Sequence, residues 1–218
     1  MHHEIRGFDD VDVLATAAAN VVAERARRAV AATGAFSFAV SGGRTPWKMF
    51  NELLSCDVPW EQTVIYQVDE RVAPLGDAGR NLTSLLDALS SVAPLIEPMP
   101  VNDDDIGAGA ERYGASLPER LDLVHLGLGP DGHTASLVPG DPVLDVSDRL
   151  VATTEEYQGH RRMTLTYRAL ARADQIVWLV SGSDKRNALT KLMAGDESIP
   201  AGRVTAARSL IMADRAAL

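Results

Sequence analysis

Apolar residues recur along the chain in two rhythms. From 9 to 32, Val11, Leu14, Ala18, Val21 and Val22 fall at helical spacing, with Arg25, Arg27 and Arg28 near the end and Gly34 beyond. This predicts one long helix whose basic end suits the helix dipole and whose stop is the glycine. The rest of the pattern consists of short continuous runs: FSFAV (36–40), TVIYQV (63–68), LDLVHL (121–126), RLVATT (149–154), QIVWLV (175–180) and SLIM (209–212). Runs of this length rich in β-branched residues predict strands buried on both faces. Helical stretches are expected between them: 45–54 with Pro46 in its first turn, a helix through Leu89 capped by Asn81 or Thr83, 108–117, and 183–193 capped by Ser183. Strands alternating with helices give the α/β class, as a doubly wound, mostly parallel sheet of about six strands with helices on both faces. No repeat, low-complexity stretch or linker breaks the pattern, so 1–218 is expected to form a single α/β domain.

In such a sheet, ligands bind outside the carboxyl ends of the strands. Four segments follow strands there: Ser41-Gly42-Gly43-Arg44-Thr45, Asp69-Glu70-Arg71, Gly127 to His133, and SGSDK (181–185). Gly127, Gly129 and Gly132 spell the G-x-G-x-x-G of a dinucleotide turn, but Pro139-Gly140 stops any helix that would carry the pyrophosphate, and Pro130 removes an amide. The segment therefore has no dinucleotide site, and its glycines are expected to shape a turn that presents His133, with Asp131 two residues earlier to orient the imidazole. SGGRTP suits an anion, because Gly42 and Gly43 let amides turn inward, a helix N-terminus follows, and Ser41 and Thr45 add hydroxyls. Arg71 has the planar fork of a phosphate clamp, although three charges ending a strand also read as a solvated rim. His125 lies inside a strand run and reads as a core residue with its polar atoms satisfied.

Charge and composition narrow the partners. With 21 basic and 30 acidic residues the net charge is −9, which argues against nucleic acid and against an anionic membrane. The one cysteine, Cys56, excludes an internal disulfide and a multi-cysteine metal site. No HExxH, Cys/His cluster, Walker or G-x-S-x-G pattern is present, so no metal, no cofactor and no serine nucleophile are expected. No apolar span of membrane length and no signal-peptide pattern occurs, giving the cytoplasm as the expected location. His2 and His3 are expected to be disordered.

Taken in order, SGGRTP (41–46), VDERVAP (68–74) with Asn81, GLGPDGHTASLVPG (127–140), RMTLT (162–166) and GSDK (182–185) resemble the 6-phosphogluconolactonase family. The resemblance spans roughly residues 36 to 212 and implies a Rossmann-like sheet without a dinucleotide, a fold shared with glucosamine-6-phosphate deaminases. It implies hydrolysis of 6-phospho-D-glucono-1,5-lactone to 6-phosphogluconate, a step of the oxidative pentose phosphate pathway. It also implies His133 as general base with Asp131 its loop partner, and a sugar-phosphate site of Ser41, Gly42, Gly43, Arg44, Thr45, Asp69, Arg71, Asn81, Arg162 and Lys185. The partner so implied is a small-molecule lactone, with the chain a monomer or weak homo-oligomer. Three departures stand out: Arg44 and Arg80 replace common serines, which opens how they share the phosphate, and Val138 replaces a frequent phenylalanine. The deaminases place a glutamate where Val138 stands, and valine moves no proton. A non-catalytic sugar-phosphate sensor would leave His133 and Asp131 idle.

Overall fold

A computed structural model describes residues 2–218. In chain order its elements are β1 (Glu4–Phe8), α1 (Val11–Thr33), β2 (Phe36–Val40), α2 (Arg44–Leu53), β3 (Thr63–Gln67), β4 (Asp69–Arg71), α3 (Asn81–Ala88), β5 (Leu95–Glu97), α4 (Ile106–Ser116), β6 (Leu123–Leu126), β7 (Val151–Thr153), β8 (Arg162–Leu165), α5 (Tyr167–Leu170), β9 (Gln175–Val180), α6 (Arg186–Ala194) and β10 (Arg208–Asp214). The central sheet has seven strands in the order β1-β10-β9-β6-β2-β3-β5. Every pairing in it is parallel. Apolar side chains alternate between its faces, as the period of two requires. Phe36, Phe38 and Val40 of β2 pack with Leu14, Ala18 and Val22 of α1 and Phe50 of α2, whereas Ala39 joins Leu126, Trp178 and Leu189 on the other face. The doubly wound α/β architecture expected from the pattern is thus present.

Its strand membership differs in detail. Five of the six apolar runs enter the central sheet, but RLVATT supplies β7 of a separate three-stranded antiparallel sheet ordered β4-β8-β7. The two additional central strands lie at the edges. β1 reads EIRGF with four of its five residues exposed, and β5 has only three residues, so neither carries a buried apolar run. His3, just before β1, is held in place, its Nδ1 2.7 Å from Ser209 Oγ, against the expectation of disorder.

Several helix ends depart from their expected signals. α1 runs on to Thr33, so no arginine stands in its last turn; Gly34 closes it at φ 85°. Arg25 instead pairs with Asp174 at the amino-end side of the sheet. Ser183 caps nothing with its side chain: residues 183–185 form a single 3-10 turn before α6 starts at Arg186. Neither Asn81 nor Thr83 caps α3; Asn81 is its first residue, and the Asn81 and Leu82 amides donate to the Glu70 carboxylate. Among the described residues no helix is long and apolar enough to cross a membrane.

Candidate active site

A cleft of about 600 Å³ opens at the carboxyl ends of the central strands. Each sequence-derived candidate except Asp131 lines it, and Asp131 stands directly behind His133. β2 delivers Ser41 and the two glycines, β4 delivers Asp69 and Arg71, β6 runs into the histidine loop, and the turn after β9 brings Lys185.

The loop between Gly127 and Gly140 contains no helix, so the dinucleotide pattern has no dipole to offer. Its backbone is tied to itself instead. Gly129 N–H donates to His133 O at 2.8 Å, Gly132 N–H to Gly129 O at 3.0 Å, and Thr134 Oγ1 to Gly127 O at 2.8 Å. Gly132 adopts φ 85°, and a Cβ there would sit 2.5 Å from Ile199 Cβ, so both conformation and space demand glycine. Ala135, on the cleft wall, holds a left-handed φ of 51° inside the turn that Leu137 N–H closes onto Thr134 O at 2.9 Å.

Asp131 Oδ1 accepts from the His133 amide at 3.1 Å and lies 2.6 Å from Nδ1. A carboxylate at Nδ1 selects the tautomer with the proton on that nitrogen, which leaves Nε2 as the basic lone pair. Partial burial pushes the Asp131 carboxyl up, but the hydrogen bonds and charge of His133 outweigh it, and the net shift is downward. Asp131 therefore stays ionised and holds the ring.

The other loops are wired to one another. Asp69 is buried and accepts from Ser136 Oγ of the histidine loop at 2.7 Å; Asn81 Nδ2 donates to Asp69 O at 2.9 Å. Burial raises the Asp69 carboxyl pKa, opposed by the Ser136 hydrogen bond, Arg71 and Arg162. Asn81 Oδ1 accepts from Arg71 Nη1 at 2.6 Å. A Cβ on Gly42 would overlap Asn81 Oδ1 at 1.9 Å, so this contact between the second and first loops needs glycine. Arg71 and Arg162 are direct partners across the antiparallel β4–β8 pair. Like charges in that position repel, which suits a site completed by an anion. Burial lowers the Arg162 pKa. Arg162 Nε is buried without a hydrogen-bond partner among the described residues.

Opposite this pair, α2 aims its N-terminus at the cleft behind Gly43, with Thr45 Oγ1 bonded to Ser181 Oγ at 2.8 Å. Ser41 Oγ is buried there without a partner among the described residues. Arg44 is exposed on the cleft rim, and Lys185 Nζ lies 3.0 Å from Asp184 Oδ2. Arg80 is a correction: it is 2% exposed and faces away from the cleft, paired with Glu70 at 3.0 Å and donating to Ala73 O and Asn102 Oδ1. It shares no phosphate with Arg44. Glu70 is likewise interior, so the charged triplet is no solvated rim.

His125 is buried as expected, but only half satisfied. Nδ1 accepts from the Ser41 amide at 3.3 Å, while Nε2 has no partner among the described residues. Burial alone pushes its pKa down to about 3. Between that value and an ordinary pKa of about 6.5, the unfolded chain binds a proton that the native state refuses, so stability falls as pH drops through this window and is fully present above it. The His125→Asn variant, which keeps an acceptor for Ser41 but gains no proton, is expected to lose less of its urea midpoint between pH 7 and pH 4 than the parent. Equal losses would place the acid sensitivity elsewhere.

Sequence reasoning missed Tyr157 and Gln158. They occupy a tight hairpin closed by a Tyr157–His160 bridge, with Gln158 at φ 53° and Gly159 at φ 79°. Gln158 lines the cleft, and the Tyr157 ring packs edge-on to His133 at 5.7 Å. The available signal was the Gln-Gly pair between two apolar runs, a two-residue hairpin cue. Among the described residues no group of acidic, histidine or cysteine side chains is arranged to hold a metal ion.

Comparison with known proteins gives a consistent picture. The family model for glucosamine-6-phosphate isomerases/6-phosphogluconolactonase matches residues 9–212. A 6-phosphogluconolactonase of Synechocystis is 35% identical over 187 residues, covering 79% of this chain and 78% of its own. The human GDH/6PGL endoplasmic bifunctional protein is 38% identical over 189 residues, or 79% of this chain, which spans only 24% of that longer protein. Among solved structures, a 6-phosphogluconolactonase from Thermotoga maritima aligns with a TM-score of 0.88 at 25% identity, covering 98% of this chain and 100% of the other.

Proposed function

The chain belongs to the glucosamine-6-phosphate isomerase/6-phosphogluconolactonase family, and from that premise we propose that its cleft hydrolyses 6-phospho-D-glucono-1,5-lactone to 6-phosphogluconate in the oxidative pentose phosphate pathway. The observation that carries the mechanism is the 2.6 Å contact between Asp131 and His133 Nδ1. With Nδ1 committed, Nε2 takes a proton from water as the oxygen attacks the lactone carbonyl carbon. The tetrahedral intermediate collapses with cleavage of the bond from C1 to the ring oxygen. The imidazolium returns its proton to that oxygen, and the acid product ionises. Asp131 stays charged throughout and stabilises the imidazolium it faces.

The phosphate is distant from the reacting carbonyl, so its binding energy is available to position the ring. Ser41 to Thr45, the α2 N-terminus, Arg44 and Lys185 supply one set of anion contacts, and Arg71 with Arg162 a second. Asp69, fixed by Ser136 and Asn81, accepts from sugar hydroxyls. On a chain of net charge −9 these cations concentrate positive potential where a dianion must enter. The same reading places the enzyme in the cytoplasm, where one unpaired cysteine suits a reducing medium, as a monomer or weak homo-oligomer. The deaminase alternative lacks its acid: a buried valine, Val138, stands at that position.

The test generates the lactone from glucose 6-phosphate with its dehydrogenase and measures 6-phosphogluconate formation against the spontaneous rate. No acceleration over the enzyme-free control would refute the proposal, and ammonia release from glucosamine 6-phosphate would favour the deaminase. In the same assay Lys185→Ala is expected to raise KM by about 10- to 100-fold with kcat little changed, the worth of a charged hydrogen bond made equally in both states. An unchanged KM would remove Lys185 from the phosphate.

A further inference from the structure

Tyr157, beside the cleft, touches both halves of the machinery. Its hydroxyl donates to Asp131 Oδ2 at 3.4 Å, the oxygen that His133 leaves free. Its ring stands at 66° to the imidazole, an edge-to-face contact. The Arg162 guanidinium carbon lies 5.1 Å from the centre of the same ring, and Arg162 Nη2 donates to Tyr157 O at 3.3 Å. The hairpin that carries Tyr157 is short and conformationally defined, because the left-handed Gln158 and Gly159 leave little other choice of turn. Nothing in the folding of β7 or β8 demands an aromatic ring here, since Tyr157 is only half-buried and belongs to neither core cluster.

We infer that Tyr157 is a positioning residue that clamps the Asp131–His133 pair on one side and orients Arg162 on the other, so that the base and the anion-binding arginine are set by a single ring. This rests on the lactonase reading above. The hydroxyl bond draws charge from Asp131 and fixes the carboxylate plane; the ring limits rotation of the imidazole; the π-face supports a guanidinium that has few other partners. Other ionisable groups lining the same cleft are Asp69 and Arg71 from β4, Arg44 and Lys48 on α2, Asp184 and Lys185 after β9, and Asp214 at the end of β10. None of these bonds to the Asp131 carboxylate.

The test compares Tyr157→Phe and Tyr157→Leu with the parent in the lactone assay across pH. Phenylalanine keeps the ring and removes the bond to Asp131. It is expected to hold KM near the parent value while moving the acid limb of the kcat profile up by about half a pH unit, because a carboxylate relieved of one donor pulls harder on the imidazole proton. Leucine removes the platform as well, and is expected to lower kcat and raise KM, each by about 3- to 10-fold. A leucine variant that changes only one of the two constants, or neither, overturns the inference. Should leucine prevent folding, the phenylalanine profile decides: a displaced acid limb supports the inference and an unmoved one refutes it. Absence of lactonase activity in the parent would instead sink the underlying functional reading.

Discussion

His133→Ala is expected to lower kcat by about 10²- to 10⁴-fold, the usual contribution of a positioned general base. The size follows from how the loop spends its bonds. The Gly129, Gly132 and Thr134 contacts that shape it use backbone or a neighbouring hydroxyl, and none uses the imidazole. Removing the ring therefore leaves the turn standing and deletes Nε2, the Nδ1 contact with Asp131 and the edge contact with Tyr157. KM should move little, because the phosphate contacts lie elsewhere in the cleft. Asp131→Asn is the companion measurement: an amide can still touch Nδ1 but does not stabilise the imidazolium, so kcat should fall without reaching the alanine level. Thermal midpoints near the parent value would show that chemistry rather than folding was lost. Parental turnover in the alanine variant would remove His133 from the reaction.

The sequence was most legible where local pattern and global packing agree. Continuous apolar runs gave five of the seven central strands, because a parallel strand is buried on both faces and leaves no choice of residue. β1 was hidden for the opposite reason: an edge strand exposed on nearly every residue carries no apolar signal, and its pairing with β10 joins opposite ends of the chain. The cleft was legible as a set of loops but not as a set of contacts. Asp69, Glu70 and Arg71 look like one charged group, yet on a strand they point to alternate faces, Asp69 and Arg71 to the cleft and Glu70 to the core. The period of two was available to separate them. Arg80 was misplaced because its neighbour Asn81 belongs to the cleft; the start of α3 turns one outward and the other inward. Tyr157 lies in a hairpin from the second, antiparallel sheet, and no parallel-sheet rule points there.

That separation of Glu70 from its neighbours makes Glu70→Gln the largest expected loss of stability, about 3–5 kcal/mol. Glu70 is fully buried, and both of its oxygens face donors only. Oε1 accepts from the Arg71 and Asn81 amides, each at 2.8 Å. Oε2 accepts from Gln67 Nε2 at 2.9 Å and the Leu82 amide at 2.8 Å, and pairs with Arg80 Nε at 3.0 Å. Glutamine matches the volume but must turn an NH2 toward at least two of these donors. Arg80, 2% exposed, then becomes a buried cation without its counter-charge. The α3 N-terminus also loses the anion that satisfies its first amides. For a chain of this size the penalty corresponds to a fall of roughly 6–20 °C in Tm. Activity at low temperature should suffer less than stability, through Asn81, whose amide Glu70 holds and whose side chain reaches Asp69 and Arg71. A glutamine variant with the parental urea midpoint would show that the carboxylate is not the anchor of this corner. One that kept its midpoint but lost kcat would move Glu70 out of the scaffold and into the chemistry.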